Sequence, residues 1–177
     1  MKRILLILAL IFTIGCEKEW SHYYSMTGEF SIDTPDIARE SVKFADMAIG
    51  PVTVNNISYS ANNNKNPYVY AVSFYELSET VLKESTDVIM ALAAKGFIDF
   101  TSKNPRSVIK REVTAGSVKG IELDVESSTG SKMARGRIYF AKDKVYYVVV
   151  EKVGDKTINE ADRKFLDSFT FHFKDNN

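Results

Sequence analysis

From residue 28 onward, apolar side chains recur at every second position in eight short segments, and helical spacing interrupts this pattern twice. Alternation with a period of two is typical of a strand with one buried face, whereas spacing of three or four residues is typical of an amphipathic helix. Runs of turn-forming residues, such as residues 62–67, separate the segments. This pattern predicts an α+β protein built on an antiparallel β-sheet.

The predicted order of elements is ββββαββββα. The first four strands span residues 28–35, 40–49, 51–61 and 68–77, and the second four span 107–115, 119–127, 134–141 and 145–153. The first helix is predicted to begin at a cap on Ser78 and to end at Gly96 or one to two turns later. The second covers residues 158–171 with Asn159 as its cap. The apolar run Val148–Val150 predicts a central strand covered on both faces.

Three finer predictions concern which faces are buried. Val42 and Phe44 share one strand face, and apolar positions change parity across Asn55, which predicts a β-bulge. The predicted buried stripe of the first helix consists of Val81, Val88 and Leu92. That of the second consists of Ala161, Phe165, Leu166 and Phe169.

The N-terminal segment has the pattern of an export signal. Lys2 and Arg3 precede residues 4–14, which are apolar except for Thr13. This run is too short to cross a bilayer, which needs about 20 apolar residues, but it suits the hydrophobic region of a secretory signal. The tetrad Thr13-Ile14-Gly15-Cys16 resembles the lipobox of bacterial lipoproteins, although Leu is usual at the position of Thr13.

The resemblance implies cleavage after Gly15, a diacylglyceryl group on the Cys16 sulfur and a fatty acid such as palmitate on the new amino terminus. Two alternatives remain open: a signal peptide with an ordinary cysteine, or the N-terminal helix of a buried core. Cys16 is the chain's single cysteine, so it has no partner for an intramolecular disulfide. This favours the lipid, since three acyl chains exceed the two needed for stable anchoring.

These features predict a signal peptide at residues 1–15, a lipidated tether at 16–26 and one globular domain at 27–177. Trp20, Tyr23 and Tyr24 of the tether either lie at the membrane interface or pack back along the first strand, and the second interpretation is favoured. The mature chain has 21 basic and 23 acidic residues, a net charge of −2, which argues against a nucleic-acid partner. The predicted location is the bacterial cell envelope, outside the cytoplasm. Glu17 favours the outer over the inner membrane, by resemblance to the sorting rule of enteric bacteria.

No catalytic residue, metal site or cofactor is predicted. The two histidines, His22 and His172, have no cysteine nucleophile or zinc-ligand set to join. Glu122, Asp124 and Glu126 alternate along one strand. They form either an acid–base site or, as we favour, a solvent-facing surface opposite Arg135 and Arg137 of the next strand.

Three local motifs resemble those of the PsbP/Mog1 family, over residues 27–173. They are G-x-F-x-I-x-x-P (Gly28, Phe30, Ile32, Pro35), K-G-I-E (Gly120, Glu122) and K-F-L-D-S-F (Phe165, Leu166, Ser168, Phe169). The resemblance implies an α/β/α sandwich and an accessory or scaffolding role, with no shared active site. Gly120 is expected in a turn that enters a strand.

The predicted function is therefore a non-catalytic, membrane-anchored module that binds or assembles an envelope protein. The alternative is a small-ligand receptor or an enzyme with a pocket between sheet and helix. The candidate partner surface consists of Asn63, Lys65 and Tyr68, because the polar turn must be exposed and tyrosine is favoured at interfaces. The competing interpretation is that this segment is only a hairpin turn.

Overall fold

The computed structural model describes residues 20–47, 50–61, 67–154 and 157–173. The described residues form ten strands and two α-helices, which confirms the α+β class. They are β1 (Ser21–Ser25), β2 (Phe30–Thr34), β3 (Arg39–Met47), β4 (Gly50–Ala61), β5 (Tyr68–Glu76), α1 (Thr86–Thr101), β6 (Ser107–Ala115), β7 (Val118–Glu126), β8 (Lys132–Ala141), β9 (Lys144–Val153), α2 (Glu160–Asp167) and β10 (Thr170–Phe171). The predicted signal peptide and Cys16 lie outside the described residues.

The strands form two antiparallel sheets. The larger has the order β3-β4-β5-β9-β8-β7-β6, and the smaller has the order β1-β2-β10. All eight predicted strands are present, but β1 and β10 are additional, so the predicted order is incomplete. The first predicted strand, β2, also leaves its neighbours and joins the small sheet. The strand β9 is central, as its apolar run predicts.

Each face of the seven-stranded sheet has its own core. On one face, Ile89 and Phe97 of α1 pack on strand residues that include Leu123 and Ile138. The other face lies under the small sheet and α2, with a core of mainly aromatic residues. These include Phe30, Tyr70, Phe74, Tyr139, Tyr146, Phe165 and Phe169. The large sheet is therefore the middle layer of three.

The strand β4 contains no bulge, contrary to the prediction. Its pairing with β3 continues without interruption across Asn55 and Asn56, and its regular pairing with β5 begins at Asn55. Val52 and Val54 contact the α1 core, whereas Ile57 and Tyr59 contact the core on the opposite face. The parity of the apolar residues changes because the covering layer changes along the strand.

The helix α1 begins later and ends later than its favoured bounds. Its cap is Ser85, whose side chain accepts a hydrogen bond from Val88 N, and Ser78 lies before a short 3₁₀ turn instead. The buried face is Ile89, Ala93, Phe97 and Thr101, so the predicted stripe was wrong. Phe97 sets this face because it lies over Gly136, where a Cβ would come within 2.5 Å of Phe97 Cζ.

The helix α2 begins at its predicted cap. Asn159 and Asp162 form a capping box, in which each side chain accepts a hydrogen bond from the other's backbone N. The helix ends at Asp167, so Phe169 lies in the link to β10, where it remains buried. Ala161 is exposed, contrary to the predicted buried stripe. Asp162 is buried in its place.

Residues 21–25, which the sequence assigns to the tether, form β1 and pair with β2. Trp20 and Tyr23 pack against the aromatic core, so the folded part extends upstream of residue 27. Gly120 lies inside β7 rather than in a turn. A Cβ there would lie 2.4 Å from Tyr139 Cδ1, so the glycine makes room for this buried ring.

Candidate functional site

Five charged side chains form a connected network on one face of β6, β7 and β8. Its members are Arg111, Glu122, Asp124, Arg135 and Arg137. Glu122 lies opposite Arg137, and Asp124 lies opposite Arg135, as the sequence predicts. Glu122 and Asp124 are buried rather than exposed, which corrects the expectation of a solvent-facing surface. Three guanidinium groups surround the two carboxylates and exclude water from them.

The arginines satisfy both buried carboxylates. Arg111 Nη1 lies 3.2 Å from Glu122 Oε1 and 2.8 Å from Asp124 Oδ2. Arg135 donates two hydrogen bonds to Asp124, one of them from Nη2 at 2.7 Å. Arg137 Nε donates to Glu122 Oε2 at 3.0 Å. Buried charges are stable only when they are paired and hydrogen-bonded in this way.

The same network binds α2 to the sheet. Arg137 Nη1 donates to the carbonyl oxygen of Leu166 at 2.8 Å, and Nη2 donates to Asp167 Oδ1 at 2.6 Å. A cation is favourable at this C-terminal end of a helix. Burial acts to raise the pKa of Asp124, but hydrogen bonds from Arg135 and Arg111 outweigh it and hold the pKa below its usual value. The contacts of the network join three strands of the sheet to the last turn of α2 and so stabilise the fold.

A second buried polar cluster joins β5, β9 and α2. Asp162 is fully buried and accepts hydrogen bonds from Tyr70 Oη at 2.8 Å and from Asn159 N at 2.7 Å. Lys152 Nζ lies 2.5 Å from Asp162 Oδ2 and donates to the carbonyl oxygen of Thr157 at 2.8 Å. This cluster is not among the sites predicted from the sequence. The spacing of Asn159 and Asp162 signals a capping box, but the strand residues are distant in sequence.

The chemistry of this cluster also favours a structural role. Burial, and next the hydrogen bond to Asp162, raise the pKa of Tyr70 far above its usual value, so its hydroxyl stays a donor. The carboxylate of Asp162 and the amine of Lys152 are each occupied by the other and by backbone groups. The cluster therefore fixes the start of α2 on the sheet.

Of the three residues predicted to form a partner surface, only Tyr68 is described. Asn63 and Lys65 lie outside the described residues. Tyr68 begins β5 and is half-buried, with its ring centre 5.3 Å from that of Tyr70 and 6.3 Å from that of Tyr59. Its ring therefore packs into an aromatic group at one end of the sheet.

The space between the large sheet and α1 is small. A cavity of about 20 Å³ there is lined by Met47, Tyr75, Leu77, Ile89, Leu92, Ala93, Gly96, Val145 and Tyr147. This volume holds about one water molecule, whereas small-molecule sites typically measure about 300–1,000 Å³. A ligand between this helix and the sheet would require the two to separate.

The most exposed apolar part of the large sheet is its edge strand β3, which pairs only with β4. Val42 and Phe44 share one face, as predicted, but are 67% and 79% exposed rather than buried in a core. β3 carries charged side chains, as edge strands usually do, and Lys43 lies between the two apolar residues. Exposed apolar side chains that share one face of such an edge are nevertheless a candidate interaction surface.

An open cleft lies one strand further in, between the first residues of β4 and the end of β5. Phe44 is opposite Thr53 and Val42 is opposite Asn55, and opposite residues share a face. The cleft measures about 420 Å³ and is lined by Pro51, Val52, Thr53, Asn55, Glu76, Leu77 and Ser78. We call Val42, Phe44, Thr53, Asn55 and this cleft the β3 surface. In the sequence, the β3 surface is indicated by the charged residues that flank Val42 and Phe44, because a strand covered on both sides would carry fewer charged residues.

Two further findings bear on the function. Within the four described ranges, no helix is long and apolar enough to cross a membrane. Comparison of the sequence with protein-family models and with curated proteins finds no match. The function must therefore be argued from the residues and from the β3 surface.

Proposed function

We propose that this protein is a lipoprotein of the bacterial cell envelope, anchored outside the cytoplasm through lipid on Cys16, and that its domain binds a protein partner without catalysing a reaction. The lipobox-like residues 13–16 behind an apolar run support the anchor. Glu17 favours the outer membrane. The β3 surface supports the binding role.

We also propose that the domain has a PsbP/Mog1-like fold. Its central antiparallel sheet has α1 on one face and α2 on the other, as an α/β/α sandwich does. The three motifs that resemble the family lie around β2, within β7 and at the end of α2. The three-stranded sheet beside α2 is an addition to that simple sandwich.

The observation on which the binding role depends is the exposure of Val42 and Phe44 on an edge strand. The outer side of β3 has no neighbouring strand within the described residues. An extended peptide can add to such an edge through main-chain hydrogen bonds, while its apolar side chains contact Val42 and Phe44. The proposed partner is therefore an envelope protein that presents an extended segment with apolar side chains.

A capture experiment tests this role. The acylated protein is incubated with detergent-solubilised membranes of its own bacterium, and captured proteins are compared between the wild type, Phe44→Lys and Phe100→Lys. Phe100 is the matched control, because it is 79% exposed like Phe44 but lies on α1. We expect a partner that the wild type and Phe100→Lys retain and Phe44→Lys loses. Equal capture by both variants would contradict a role for the β3 surface.

The anchor has its own test. Cys16→Ser removes the only thiol, so labelling with radioactive palmitate should disappear. The mature domain should then be released into the extracytoplasmic fraction, or an uncleaved precursor should accumulate. Labelling that persists in the variant would refute the lipoprotein assignment.

A further inference from the structure

The chain between the proposed lipid and the folded domain is short. The strand β1 begins at Ser21, and the ring of Trp20 already packs on the core, 6.4 Å from the ring of Tyr70. A fully extended chain spans at most about 3.6 Å per residue, so the Cα atoms of Cys16 and Trp20 lie within roughly 14 Å of each other.

This length determines which part of the domain lies nearest the lipid. The headgroup region of one leaflet is about 5–8 Å deep, so much of the available span is used in crossing it. The strand β1 then leads away from Trp20 for five residues, a distance of about 17 Å. The end of the domain where Trp20 lies, which we call the anchor end, is therefore held close to the bilayer surface.

The anchor end carries side chains suited to a lipid–water interface. Ser21 pairs with Thr34, so Ile37, three residues further on, lies at this end, and it is 82% exposed. Lys164 Nζ lies 4.6 Å from the ring centre of Trp20. Tryptophan is favoured at the headgroup level, and a lysine there can keep its charge in water while its stem covers apolar surface.

We infer that the anchor end rests on the lipid bilayer, with Ile37 in the headgroup region, the half-buried ring of Trp20 at the domain edge that faces it, and the β1–β2 turn directed away. This rests on the proposed lipid anchor at Cys16. The strand β3 starts beside the anchor end, at Arg39, and runs away from it to Met47. Val42 and Phe44 are therefore presented on the side of the domain, where a partner can reach them.

The orientation also separates the two candidate partner surfaces. Tyr68 belongs to the anchor end, because its ring contacts Tyr70 and Tyr70 contacts Trp20. A surface at Tyr68 would face the lipid, whereas the β3 surface remains accessible. The geometry thus favours the β3 surface over a surface at Tyr68 for binding a protein.

Site-specific labelling tests the orientation. An acylated Cys16 is a thioether, so a cysteine introduced by Ile37→Cys or Met26→Cys is the only free thiol. Met26 is the matched control, since it is 83% exposed and lies in the β1–β2 turn at the far end. Each acylated variant is labelled with a fluorophore and reconstituted in phosphatidylcholine–phosphatidylglycerol vesicles that contain a headgroup-spin-labelled lipid. The label at residue 37 should lose most of its fluorescence, and the label at residue 26 should retain it.

Equal quenching at the two positions, or stronger quenching at residue 26, would overturn the inference. A Gly/Ser insertion of roughly twelve residues after Glu19 should relieve quenching at residue 37, because a flexible linker frees the domain from the surface. Unchanged quenching at residue 37 would show that the short tether is not what holds the domain against the bilayer. Protein that fails to float with the vesicles would instead refute the lipid anchor itself, so the two failures are distinguishable.

Discussion

Arg137 lies directly opposite Glu122 on neighbouring strands, and the same guanidinium group holds the last turn of α2. One side chain thus joins the sheet to the helix that covers it. Because Glu122 is buried, its charge depends on this contact and on Arg111. The network therefore links strand register to helix docking.

Replacing Arg137 should destabilise the protein strongly. We expect Arg137→Met to lower the free energy of unfolding by about 3 kcal/mol, since it removes one of the donors to the buried carboxylate of Glu122 and the side-chain donor to the Leu166 carbonyl. The value lies at the low end for a broken buried pair because Arg111 remains 3.2 Å from Glu122. Urea denaturation measures the change. The control is Arg106→Met, whose exposed pair with Glu126 is 3.9 Å long and should contribute less than about 0.5 kcal/mol. Equal losses of unfolding free energy in Arg137→Met and Arg106→Met would contradict the prediction.

The pKa of Asp124 predicts how stability changes with pH. Hydrogen bonds from Arg135 and Arg111, which outweigh the effect of burial, hold this pKa below the usual value of 3.8 in the folded state. The unfolded state therefore takes up a proton first as the pH falls. The stabilisation is fully present above about pH 5 and is lost progressively below about pH 4.

Urea midpoints between about pH 7 and pH 3 test this dependence. Asp124→Asn should lower stability at neutral pH and also reduce the loss between neutral and acid pH. A variant whose stability falls with pH as steeply as that of the wild type would show that Asp124 does not contribute to the dependence.

The close approach of α1 to β8 gives a packing prediction. A methyl group added by Gly136→Ala would meet Phe97 Cζ at 2.5 Å, so the helix or the ring must move. We expect a loss of about 1–3 kcal/mol in the free energy of unfolding, as for other overpacked cores. Phe97→Leu should lower the free energy of unfolding by less in the Gly136→Ala variant than in the wild type. Independent, additive effects in thermal or urea unfolding would contradict direct contact.

The strands could be predicted from sequence because their periodicity is local. For each of the four strands from β6 to β9, both ends agree with the predicted segment to within two residues. The central position of β9 followed from its continuous apolar run. The cap at Asn159 was equally local, since it depends on one side chain and the backbone three residues away.

The remaining features depend on contacts between distant segments. Ser78 and Ser85 are equally good caps by residue type, and the structure uses Ser85, which places Ile89, Ala93 and Phe97 against the sheet. Glu122 and Asp124 look solvent-facing in one strand, but three arginines from two neighbouring strands bury them. The exposure of Phe44 depends on β3 being an edge, for which the flanking charges are the one local signal in the sequence.

The strand β1 leads to a prediction about truncation. A chain that begins at Thr27 loses β1, together with the half-buried rings of Trp20 and Tyr23 that pack on the core. We expect it to be less stable than a chain beginning at Glu17 by about 2 kcal/mol or more. Trp20 is the only tryptophan, so its fluorescence in the longer chain reports the docking of β1. Equal stability of the two chains would show that β1 is peripheral.

The buried pair of Lys152 and Asp162 should be strongly coupled. Asp162→Ala leaves the Lys152 ammonium without its counter-charge and Tyr70 Oη without its acceptor, and it removes half of the capping box. Lys152→Met leaves a fully buried carboxylate without its cation.

Each single change should cost about 3–5 kcal/mol in the free energy of unfolding. The double variant should cost less than the sum of the two by about 1–3 kcal/mol, because no charge is then left unpaired. The control cycle is the exposed pair of Lys95 and Asp99, one turn apart on α1, where the coupling should be only about 0.3–0.5 kcal/mol. A coupling of that size at Lys152 and Asp162 would mean that water reaches the pair, and that α2 is held on the sheet by Arg137 and its apolar face instead.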